Sequence, residues 1–346
     1  MTNSPAPIAA GAEAGLPELT EALRRMGLAE AKERPRLTRL GGGVSSDIWR
    51  VDLRSGPVCV KRALAKLRVE QDWFAPVERS RYEVAWLRAA AAIAPHSVPK
   101  LLGVDQVTGS FAMEFLDPLL YRNWKEELCD GRVDMRAAAA VGGVLARIHA
   151  ATAGRADIAA TFPSDAIFHA IRLAPYLEAT ALRHPDLAPR LKALVKTTAN
   201  TKAALVHGDV SPKNILLGAH GPLFLDAECA WYGDPAFDIA FCLNHLLLKC
   251  LWRPAAAPDF LTAFDTLAEA YLAGVKWEMR AAIEARIAAL LPGLFLARID
   301  GKSPVEYVTE EDDKNRVRRV ARHLLEMTLE RVAAIRAAWA QELGLA

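Results

Sequence analysis

The sequence predicts an α+β chain in which a small β-rich N-terminal part precedes a larger, mostly helical part. Three observations support this prediction. The length of 346 residues is sufficient for two domains of roughly 100–200 residues each. Short segments between residues 37 and 116 alternate apolar and polar residues with a period of two. After residue 117 the chain becomes rich in alanine, and its apolar residues recur at helical spacing.

The composition excludes several classes of protein. Hydrophobic residues make up 52% of the chain and charged residues 24%, which is enough apolar material for a folded core. The net charge of +2 gives no long-range attraction for nucleic acid or an anionic membrane. The 5 cysteines are scattered without a C-x-x-C pair, so reduced thiols are expected rather than disulfides or a zinc site. We therefore expect a cytoplasmic protein, with a homodimer left open.

The elements of the N-terminal part follow from local patterns. Residues 1–36 are expected to form a frayed tail and then a short amphipathic helix that starts at Pro17. Residues 36–53 are typical of a strand, a glycine turn and a second strand, and residues 57–63 of a third strand. A helix is expected over about 77–92, and two more strands, over 96–107 and 110–115, are expected around a turn at residues 108 and 109.

The C-terminal part is predicted to be helical with one interruption. Residues 135–150 form the clearest helical pattern, short strands and loops are expected within 205–226, and helices resume at residue 236. The change of pattern near Asp117 and Pro118 marks the boundary. The predicted divisions are a tail and helix (1–36), a β-rich domain (37–116) and a helical domain (117–346).

The strongest chemical signal is the segment LVHGDVSPKNILL at 205–217. Its H-G-D triplet ends at Asp209, and Asn214 follows five positions later. Asp226 comes twelve residues after Asn214, at the end of an apolar segment, and Glu228 lies two positions further on. Phosphoryl transfer needs one carboxylate to accept the proton of the attacking hydroxyl and further oxygen ligands to hold Mg²⁺. Each acidic residue alone is more simply a loop cap, but their ordered combination favours this chemistry.

With these motifs, the sequence resembles the aminoglycoside phosphotransferase and choline kinase superfamily over about residues 36–310. The resemblance implies a bilobal, protein-kinase-like fold with a small β-rich N-lobe and a larger helical C-lobe. It also implies that Asp209 is the catalytic base and that Asn214 and Asp226 bind Mg²⁺. Glu228 is implied to support a second metal ion or the substrate. ATP and Mg²⁺ are the implied cofactors.

Part of the sequence is also similar to the subset of this superfamily around 5-methylthioribose kinase. The similar segments are DAECAWYG at 226–233, VKRAL at 60–64, the region of Trp73, and RYE at 81–83. The sequence departs from that subset in its catalytic loop, where Asn214 restores the ordinary metal-binding asparagine. The resemblance therefore implies a related sugar or polyol, rather than methylthioribose itself, as the acceptor.

A glycine turn in the N-terminal part fits the same interpretation. The segment GGGVSS at 41–46 lies between two predicted strands. Glycines such as Gly42 and Gly43 let backbone N–H groups approach a phosphate, and Ser45 and Ser46 add hydroxyl donors. Without other signals, such a cluster is more often a plain hairpin turn.

Lys61 and Glu83 complete the expected nucleotide site. Lys61 lies on the next predicted strand, where its charge could meet the α- and β-phosphates, and Glu83 on the following helix could pair with it. An isolated lysine on a strand is usually just solvated, but the order of glycine turn, strand lysine and helix glutamate is the one that a kinase lobe requires. The backbone of Glu114, Phe115 and Leu116 is expected to form the hinge that bonds the adenine.

The acceptor side is defined less well by sequence. The segment 297–304 is positioned like the C-terminal segment that lines the substrate cleft of related kinases, so Arg298 and Asp300 are candidate contacts for substrate hydroxyls. A solvated loop is the alternative. Asp238 is expected to cap or buttress the catalytic loop, and His207 to be structural.

The leading function is an ATP-dependent kinase that phosphorylates a hydroxyl of a sugar, polyol or similar metabolite. An aminoglycoside or amino-alcohol phosphotransferase is the alternative. A protein kinase is disfavoured because Asp226-Ala227-Glu228 is not D-F-G and no A-P-E follows before residue 236. A pseudokinase scaffold is disfavoured because Lys61, Asp209, Asn214 and Asp226 are all present.

Overall fold

A computed structural model of the chain describes residues 16–41, 45–64 and 76–345, and every structural statement below concerns these residues. Contacts within the chain divide it into two compact units. The first comprises the described residues up to Val84 together with Pro99–Leu116, and the second comprises Ala85–Val98 and Asp117–Ala346. Each unit is described by itself.

The first unit contains a five-stranded antiparallel sheet. Its strands have the order β1-β2-β3-β5-β4. They are β1 (Arg36–Arg39), β2 (Ser46–Leu53), β3 (Gly56–Ala63), β4 (Leu101–Asp105) and β5 (Ser110–Glu114). Strands β2 and β3 pair along their whole lengths, which places Lys61 opposite Ile48.

Helix α1 (Leu16–Arg25) packs on this sheet. Leu19 and Leu23, one turn apart, join Trp49 and Val51 of β2 in a shared buried core. Arg25 at the end of the helix donates to both carboxylate oxygens of the buried Asp105, each at 2.8 Å. The helix predicted at Pro17 therefore forms part of the first unit, while the predicted tail before it lies outside the described residues.

The second unit is built mainly from helices. Helix α2 (Arg79–Ile93) starts in the first unit and ends in the second. The other helices, all in the second unit, are α3 (Trp124–Cys129), α4 (Met135–Thr152), α5 (Ala156–Thr161), α6 (Asp165–Phe168), α7 (Ala179–Arg183), α8 (Ala188–Asn200), α9 (Ala236–Trp252), α10 (Ala257–Gly274), α11 (Arg280–Asp300), α12 (Glu311–Glu326) and α13 (Val332–Glu342). A π-helical segment, His169–Glu178, joins α6 to α7.

Two small antiparallel sheets interrupt the helices of the second unit. Strand β7 (Ala204–Val206) pairs with β10 (Trp231–Gly233). Strands β6 (Arg122–Asn123), β8 (Ile215–Gly218) and β9 (Gly221–Phe224) form the other sheet in the order β6-β8-β9. The loop between β7 and β8 carries the H-G-D triplet. It is therefore held by a strand at each end, as the apolar residues on both sides of it predict.

The α+β fold class predicted from sequence is confirmed. One local difference concerns residues 96–107, which were predicted to be a single strand. Only Leu101–Asp105 form β4, and the residues just before it make turns and loops. Pro95 and Pro99 explain this difference, because proline provides no backbone N–H for a strand ladder. In the part of the chain that the structure describes, no helix is both long and apolar enough to cross a bilayer.

Helices α4 and α10 approach each other closely at Gly142. A Cβ atom at this position would lie 2.4 Å from the backbone oxygen of Leu267 and 3.1 Å from the backbone nitrogen of Tyr271. At the next residue, Gly143, a Cβ atom would meet no atom within 4 Å. A methyl group would therefore clash with the neighbouring helix at Gly142 but not at Gly143.

We expect Gly142→Ala to lower the free energy of unfolding by about 1–3 kcal/mol, because the two helix backbones must move apart. The matched control Gly143→Ala should raise it by about 0.5–1 kcal/mol, because alanine is the better helix former. Urea unfolding of both variants followed by circular dichroism measures this difference. Equal changes in the two variants would contradict the close packing at Gly142.

Candidate active site

The loop after β7 makes its first turn at Gly208. This residue has a φ of 80°, in the left-handed region that favours glycine. A Cβ atom here would also lie only 2.6 Å from the backbone oxygen of Cys229. The glycine of the H-G-D triplet is therefore required both by its backbone conformation and by the segment packed against it.

The carboxylate of Asp238, at the start of α9, holds this turn. Its Oδ2 accepts the backbone N–H of His207 and its Oδ1 accepts that of Gly208, both at 2.8 Å. The side chain is completely buried. His149 Nε2 lies 3.2 Å from Oδ2, and the other ring nitrogen of His149 lies 2.9 Å from the hydroxyl of Tyr271. The prediction that Asp238 buttresses the loop is confirmed by these contacts.

The ring of His207 is also a structural part of the loop. Its Nδ1 accepts the backbone N–H of Asp209 at 3.1 Å, which leaves Nε2 to donate to the backbone oxygen of Leu225 at 3.1 Å. Burial lowers the pKa of His207, although the negative charges of Asp238, Asp209 and Asp226 oppose this effect. The neutral ring therefore links the loop to the end of β9, and the prediction of a structural role agrees with these contacts.

The carboxylate of Asp209 is held on one side only. Its Oδ2 lies 3.0 Å from Nη2 of Arg172, accepts from Nδ2 of Asn214 at 2.8 Å, and lies 3.5 Å from Nζ of Lys213. Its Oδ1 accepts no hydrogen bond from the described residues. The side chain is thus fixed in orientation while one oxygen stays available to a further donor.

Arg172 is a site residue that the sequence analysis missed. It lies in the π-helical segment and donates through Nε to the backbone oxygen of Gly208 and through Nη1 to that of Ile171, both at 2.6 Å. Burial opposes its positive charge, but nearby groups led by Asp209 raise its pKa above the usual value. The one local signal was Pro175, a proline inside a helical pattern. Such irregular segments are frequent at functional sites.

Two of the residues predicted to bind metal, Asn214 and Asp226, lie side by side at the base of the β8–β9 hairpin. Asn214 uses Nδ2 to donate to the backbone oxygen and the Oδ2 of Asp209, at 3.0 and 2.8 Å, and its amide oxygen accepts no hydrogen bond from the described residues. The backbone N–H of Leu225 donates to the backbone oxygen of Asn214 at 2.9 Å, so Asp226 follows directly beside it. Asp226 has a φ of 65°, and Glu228 is buried.

These side chains suit a magnesium ion in their chemistry. An amide oxygen and carboxylates are the hard ligands that Mg²⁺ accepts, usually with waters and substrate phosphates that complete its shell. No three His, Cys, Asp or Glu side chains among residues 16–41, 45–64 and 76–345 form a metal cluster of their own. These donors are therefore of the kind that can share a magnesium ion with a phosphate ligand.

In the first unit, Lys61 and Glu83 form a buried ion pair. Nζ of Lys61 lies 2.7 Å from each carboxylate oxygen of Glu83, and both side chains are only 3% exposed. The two residues meet as the order of strand and helix predicts. Gly42 and Gly43, the predicted phosphate-binding glycines, lie outside the described residues.

Ser45 and Ser46 lie at the start of β2 and are both buried. The backbone oxygen of Ser45 accepts the N–H of Leu64 at 2.9 Å and also the guanidinium of Arg79. The hydroxyl of Ser46 is buried without a hydrogen-bond partner in the described part of the chain. Ser46 thus has a buried hydroxyl donor that the described residues leave unused.

The predicted hinge residues differ in what their backbones already bind. The N–H of Glu114 donates to the backbone oxygen of Lys100 at 2.9 Å, so this donor is taken. The N–H groups of Phe115 and Leu116, just past β5, donate to no backbone oxygen of the described residues. Of the three predicted residues, Phe115 and Leu116 keep free backbone donors.

The two predicted substrate residues lie in different surroundings. Asp300 is buried and accepts from Nε and Nη2 of Arg318 at 2.9 and 2.8 Å, and its Oδ2 lies 2.9 Å from Nε2 of His184. Both of its oxygens are therefore engaged within the protein. Arg298 instead donates to the hydroxyl of Tyr176 at 3.2 Å, on the segment that also carries Arg172. Of the two predicted substrate residues, Arg298 is thus the one that contacts the segment carrying Arg172.

The model of the phosphotransferase enzyme family matches residues 36–284, more than half of the chain. The chain belongs to the phosphotransferase enzyme family. This membership confirms the resemblance to the aminoglycoside phosphotransferase and choline kinase superfamily that the motifs around Asp209 and Asp226 indicate.

Curated relatives of this family member include two bacterial methylthioribose kinases. That of Yersinia pseudotuberculosis serotype O:3 (strain YPIII) is 27% identical over 230 residues, which cover 58% of this chain and 55% of the relative. That of Pectobacterium carotovorum subsp. carotovorum (strain PC1) is 26% identical over 243 residues, which cover 62% of this chain and 60% of the relative. The chain thus spans less than two thirds of the length of these relatives.

Solved structures of a choline/ethanolamine kinase family protein and of a choline kinase share the fold of this phosphotransferase family member. A choline/ethanolamine kinase family protein from Mesorhizobium loti has a TM-score of 0.55 at 16% identity and covers 94% of this chain and 99% of its own. Choline kinase from Cryptosporidium parvum Iowa II has a TM-score of 0.51 at 12% identity and covers 95% of this chain and 94% of its own. At these identities the likeness concerns the fold alone.

We expect Asp238→Asn to lower the free energy of unfolding by about 1–3 kcal/mol, because the amide keeps one acceptor oxygen and leaves a buried backbone N–H unpaired. The matched control is Asp312→Asn in the exposed first turn of α12, which should change stability by less than about 0.5 kcal/mol. Urea unfolding measures both. Equal stability of the two variants would show that Asp238 does not hold the loop.

Proposed function

We propose that the chain is an ATP- and Mg²⁺-dependent kinase that transfers the γ-phosphoryl group to a hydroxyl of a small molecule. The observation that carries this proposal is the state of Asp209. One oxygen of its carboxylate is fixed by Arg172 and Asn214, and the other accepts nothing from the described residues. A carboxylate held in this way can receive a hydrogen bond from an acceptor hydroxyl and keep it in one orientation.

In the proposed reaction, the acceptor oxygen forms a bond to the γ-phosphorus while the bond from that phosphorus to the ADP oxygen breaks. Asp209 orients the hydroxyl and takes its proton. Arg172 keeps the carboxylate in place, because its guanidinium bonds both Asp209 and the backbone of the preceding glycine. Positioning of this kind provides most of the catalysis in phosphoryl transfer.

Asn214 and Asp226 would hold the magnesium ion, with Glu228 near a second ion or the acceptor. A bound Mg²⁺ neutralises negative charge on the phosphates. The amide oxygen of Asn214 suits this role because its Nδ2 is committed to Asp209 and fixes the orientation of the amide. The left-handed backbone at Asp226 is a conformation that aspartate adopts more readily than most residues.

In the first unit, Lys61 would bind the phosphates of the nucleotide, and Glu83 would position it. The unpartnered hydroxyl of Ser46 is a further donor for a phosphate, and the free N–H groups of Phe115 and Leu116 are donors for the adenine. Gly42 and Gly43 stay predicted phosphate contacts by their place in the sequence.

For the acceptor, a sugar or polyol remains the leading proposal. This proposal is supported by the methylthioribose kinases among the relatives, one of which is 27% identical over 230 residues. An aminoglycoside or an amino alcohol is the alternative, suggested by the sequence resemblance. An ADP-release assay with sugars, polyols, amino alcohols and aminoglycosides tests the reaction directly.

We expect Asp209→Asn to reduce kcat by at least about a hundredfold, because the amide has neither the charge nor the basicity of the carboxylate. The affinity for Mg-ATP should stay nearly unchanged. Loss of the charge also weakens the pair with Arg172, so both proteins are assayed well below the melting temperature of the variant. Undiminished kcat in a folded variant would disprove the catalytic role of Asp209.

The nucleotide role of Lys61 requires a paired substitution. Removing Lys61 alone would leave the charge of Glu83 buried beside it without this partner, and that would destabilise the unit. We expect Lys61→Met/Glu83→Gln to fold and to lose at least about tenfold in Mg-ATP affinity, the value of a hydrogen bond between charged groups.

Isothermal calorimetry or a thermal shift with Mg-ATP measures this loss, since a ligand bound by the folded state raises its stability by mass action. Lys100→Met, at an exposed lysine of the same unit, is the control and should bind Mg-ATP normally. Wild-type affinity in the double variant would remove Lys61 from the proposed site.

A further inference from the structure

A group of cationic and aromatic side chains lines one face of α9 in the second unit. Phe241, His245, Lys249 and Trp252 recur at helical spacing, so they lie on the same side of the helix. The rings of Phe241 and His245 are 5.3 Å apart, and Nζ of Lys249 is 4.5 Å from the ring centre of Trp252. His245 and Lys249 are buried. We call these four side chains, together with the neighbouring Tyr176, Arg298 and Tyr307, the α9 cluster.

The α9 cluster lies next to the candidate catalytic loop. The guanidinium of Arg172, which bonds Asp209, is 5.8 Å from the ring centres of both Tyr176 and Phe241. On the same Tyr176, the guanidinium of Arg298 lies 5.7 Å from the ring centre and donates to the hydroxyl at 3.2 Å. One tyrosine therefore separates Arg298 from the arginine that holds the proposed catalytic base.

Two positive charges of the cluster have no carboxylate partner in the described part of the chain. Lys249 is 1% exposed. It makes no hydrogen bond or ion pair with described residues, and its ammonium meets only the stacked rings of Trp252 and Tyr307, at 4.5 and 4.7 Å. Arg298 bonds only neutral groups, the hydroxyl of Tyr176 and the backbone and hydroxyl oxygens of Ser303. A buried charge without a partner is costly to a fold.

The carboxylates nearby are already engaged. Asp209 is held by Arg172 and Lys213, and Glu306 pairs with Lys125 at the exposed edge of the cluster. The α9 cluster therefore carries more positive than negative charge. Its side chains are buried at α9 and lie closer to solvent towards Lys125 and Glu306.

The pKa values of the buried members reflect the excess of positive charge. Burial lowers the pKa of His245, and four nearby cations lower it further: Arg298, Lys249, Lys213 and Lys125. Burial also lowers the pKa of Lys249 to about 7, with Lys125 adding to this effect and Glu306 opposing it.

Three further polar atoms of the cluster are buried without a partner. They are Nε2 of His245, Nε of Arg298 and the hydroxyl of Tyr307. Buried polar atoms in proteins are nearly always hydrogen-bonded, so each unpaired one calls for an explanation. Unpaired donors beside unpaired cations are what a site for an anionic group requires.

We propose that the α9 cluster binds a negatively charged group of the acceptor, so that the substrate is a hydroxy compound carrying a carboxylate or a phosphate. This inference rests on the proposed kinase function and names its substrate class. Arg298 and Lys249 hold the anion, while the acceptor hydroxyl reaches Asp209. A polycationic aminoglycoside or an amino alcohol is disfavoured here, because like charges brought together without counter-ions repel.

A set of acceptors with related carbon skeletons tests the charge preference. In the ADP-release assay with the full chain, glucitol and gluconate are open-chain acceptors that differ in charge, and glucosamine and glucose 6-phosphate are ring-form acceptors that differ in charge. We expect kcat/KM for gluconate to exceed that for glucitol, and kcat/KM for glucose 6-phosphate to exceed that for glucosamine, by at least about tenfold, the value of a hydrogen bond between charged groups. The two anions distinguish a carboxylate from a phosphate. Turnover of glucosamine or glucitol at an equal or higher rate overturns the inference and leaves the kinase function standing.

Binding without nucleotide tests the same site independently of turnover. Gluconate and glucose 6-phosphate should raise the melting temperature of the wild-type protein, whereas glucitol should not. In Lys249→Met this rise should be lost, while the melting temperature without ligand stays equal or increases, because a buried unpaired charge has been removed. The control Lys192→Met, at an exposed lysine of α8, should respond as the wild type does.

A second variant tests the same site in case Lys249→Met does not fold. Tyr307→Phe removes only a hydroxyl that has no partner, and it should weaken the response to anions while keeping the stacked pair with Trp252. No rise with either anion, or an equal rise in Lys249→Met and the wild type, overturns the inference. An anion response that depends on Lys249, with no ADP release for any acceptor, would retain the anion site and count against the proposed kinase.

Discussion

The candidate active site depends on the buried carboxylate of Asp238. It accepts two backbone N–H groups of the loop after β7, and each bond to a charged acceptor is worth about 1.5–3 kcal/mol. The same carboxylate contacts His149 of α4, which bonds Tyr271 of α10. Gly142 lets these two helices approach within the reach of that contact, since its missing Cβ would lie 3.1 Å from the nitrogen of Tyr271. Helix packing and loop geometry are thus joined through one side chain.

From this fixed turn, a second set of contacts determines the orientation of the proposed catalytic base. Arg172 bonds both the backbone oxygen of Gly208 and the carboxylate of Asp209, so the residue that follows the turn is tied to the turn itself. Asn214 holds the same carboxylate oxygen from the other end of the loop. Because these two groups converge on a single oxygen, the second oxygen has a defined direction. A carboxylate oxygen that is held rigidly in this way needs little reorganisation when it accepts a hydrogen bond during a reaction.

Sequence patterns predicted the fold class and singled out the segments that carry Asp209, Asn214 and Asp226, because apolar periodicity and short spacings are local properties of a chain. They also paired Lys61 with Glu83, since strand and helix order was sufficient for that. They could not find Arg172, which reaches the loop from an irregular helical segment with no recognisable spacing. They assigned Asp300 to the substrate, although its oxygens are taken by Arg318 and His184. Contacts between side chains distant in sequence decide such cases, and periodicity does not encode them.

Helix α9 contributes both to the buried core of the second unit and to the proposed anion site. Most of its residues are apolar and buried, as a central helix requires. A hydrophobic residue at position 249 would fit that pattern and avoid the cost of desolvating an ammonium group. The chain instead has Lys249, next to the stacked rings of Trp252 and Tyr307 and one turn from His245, on the face that continues towards Arg172. Aromatic faces stabilise a cation without neutralising it, and a bound anion would further favour the charged form of the ammonium. Retaining a charge in this way, near the proposed base, favours a ligand that supplies the missing negative charge.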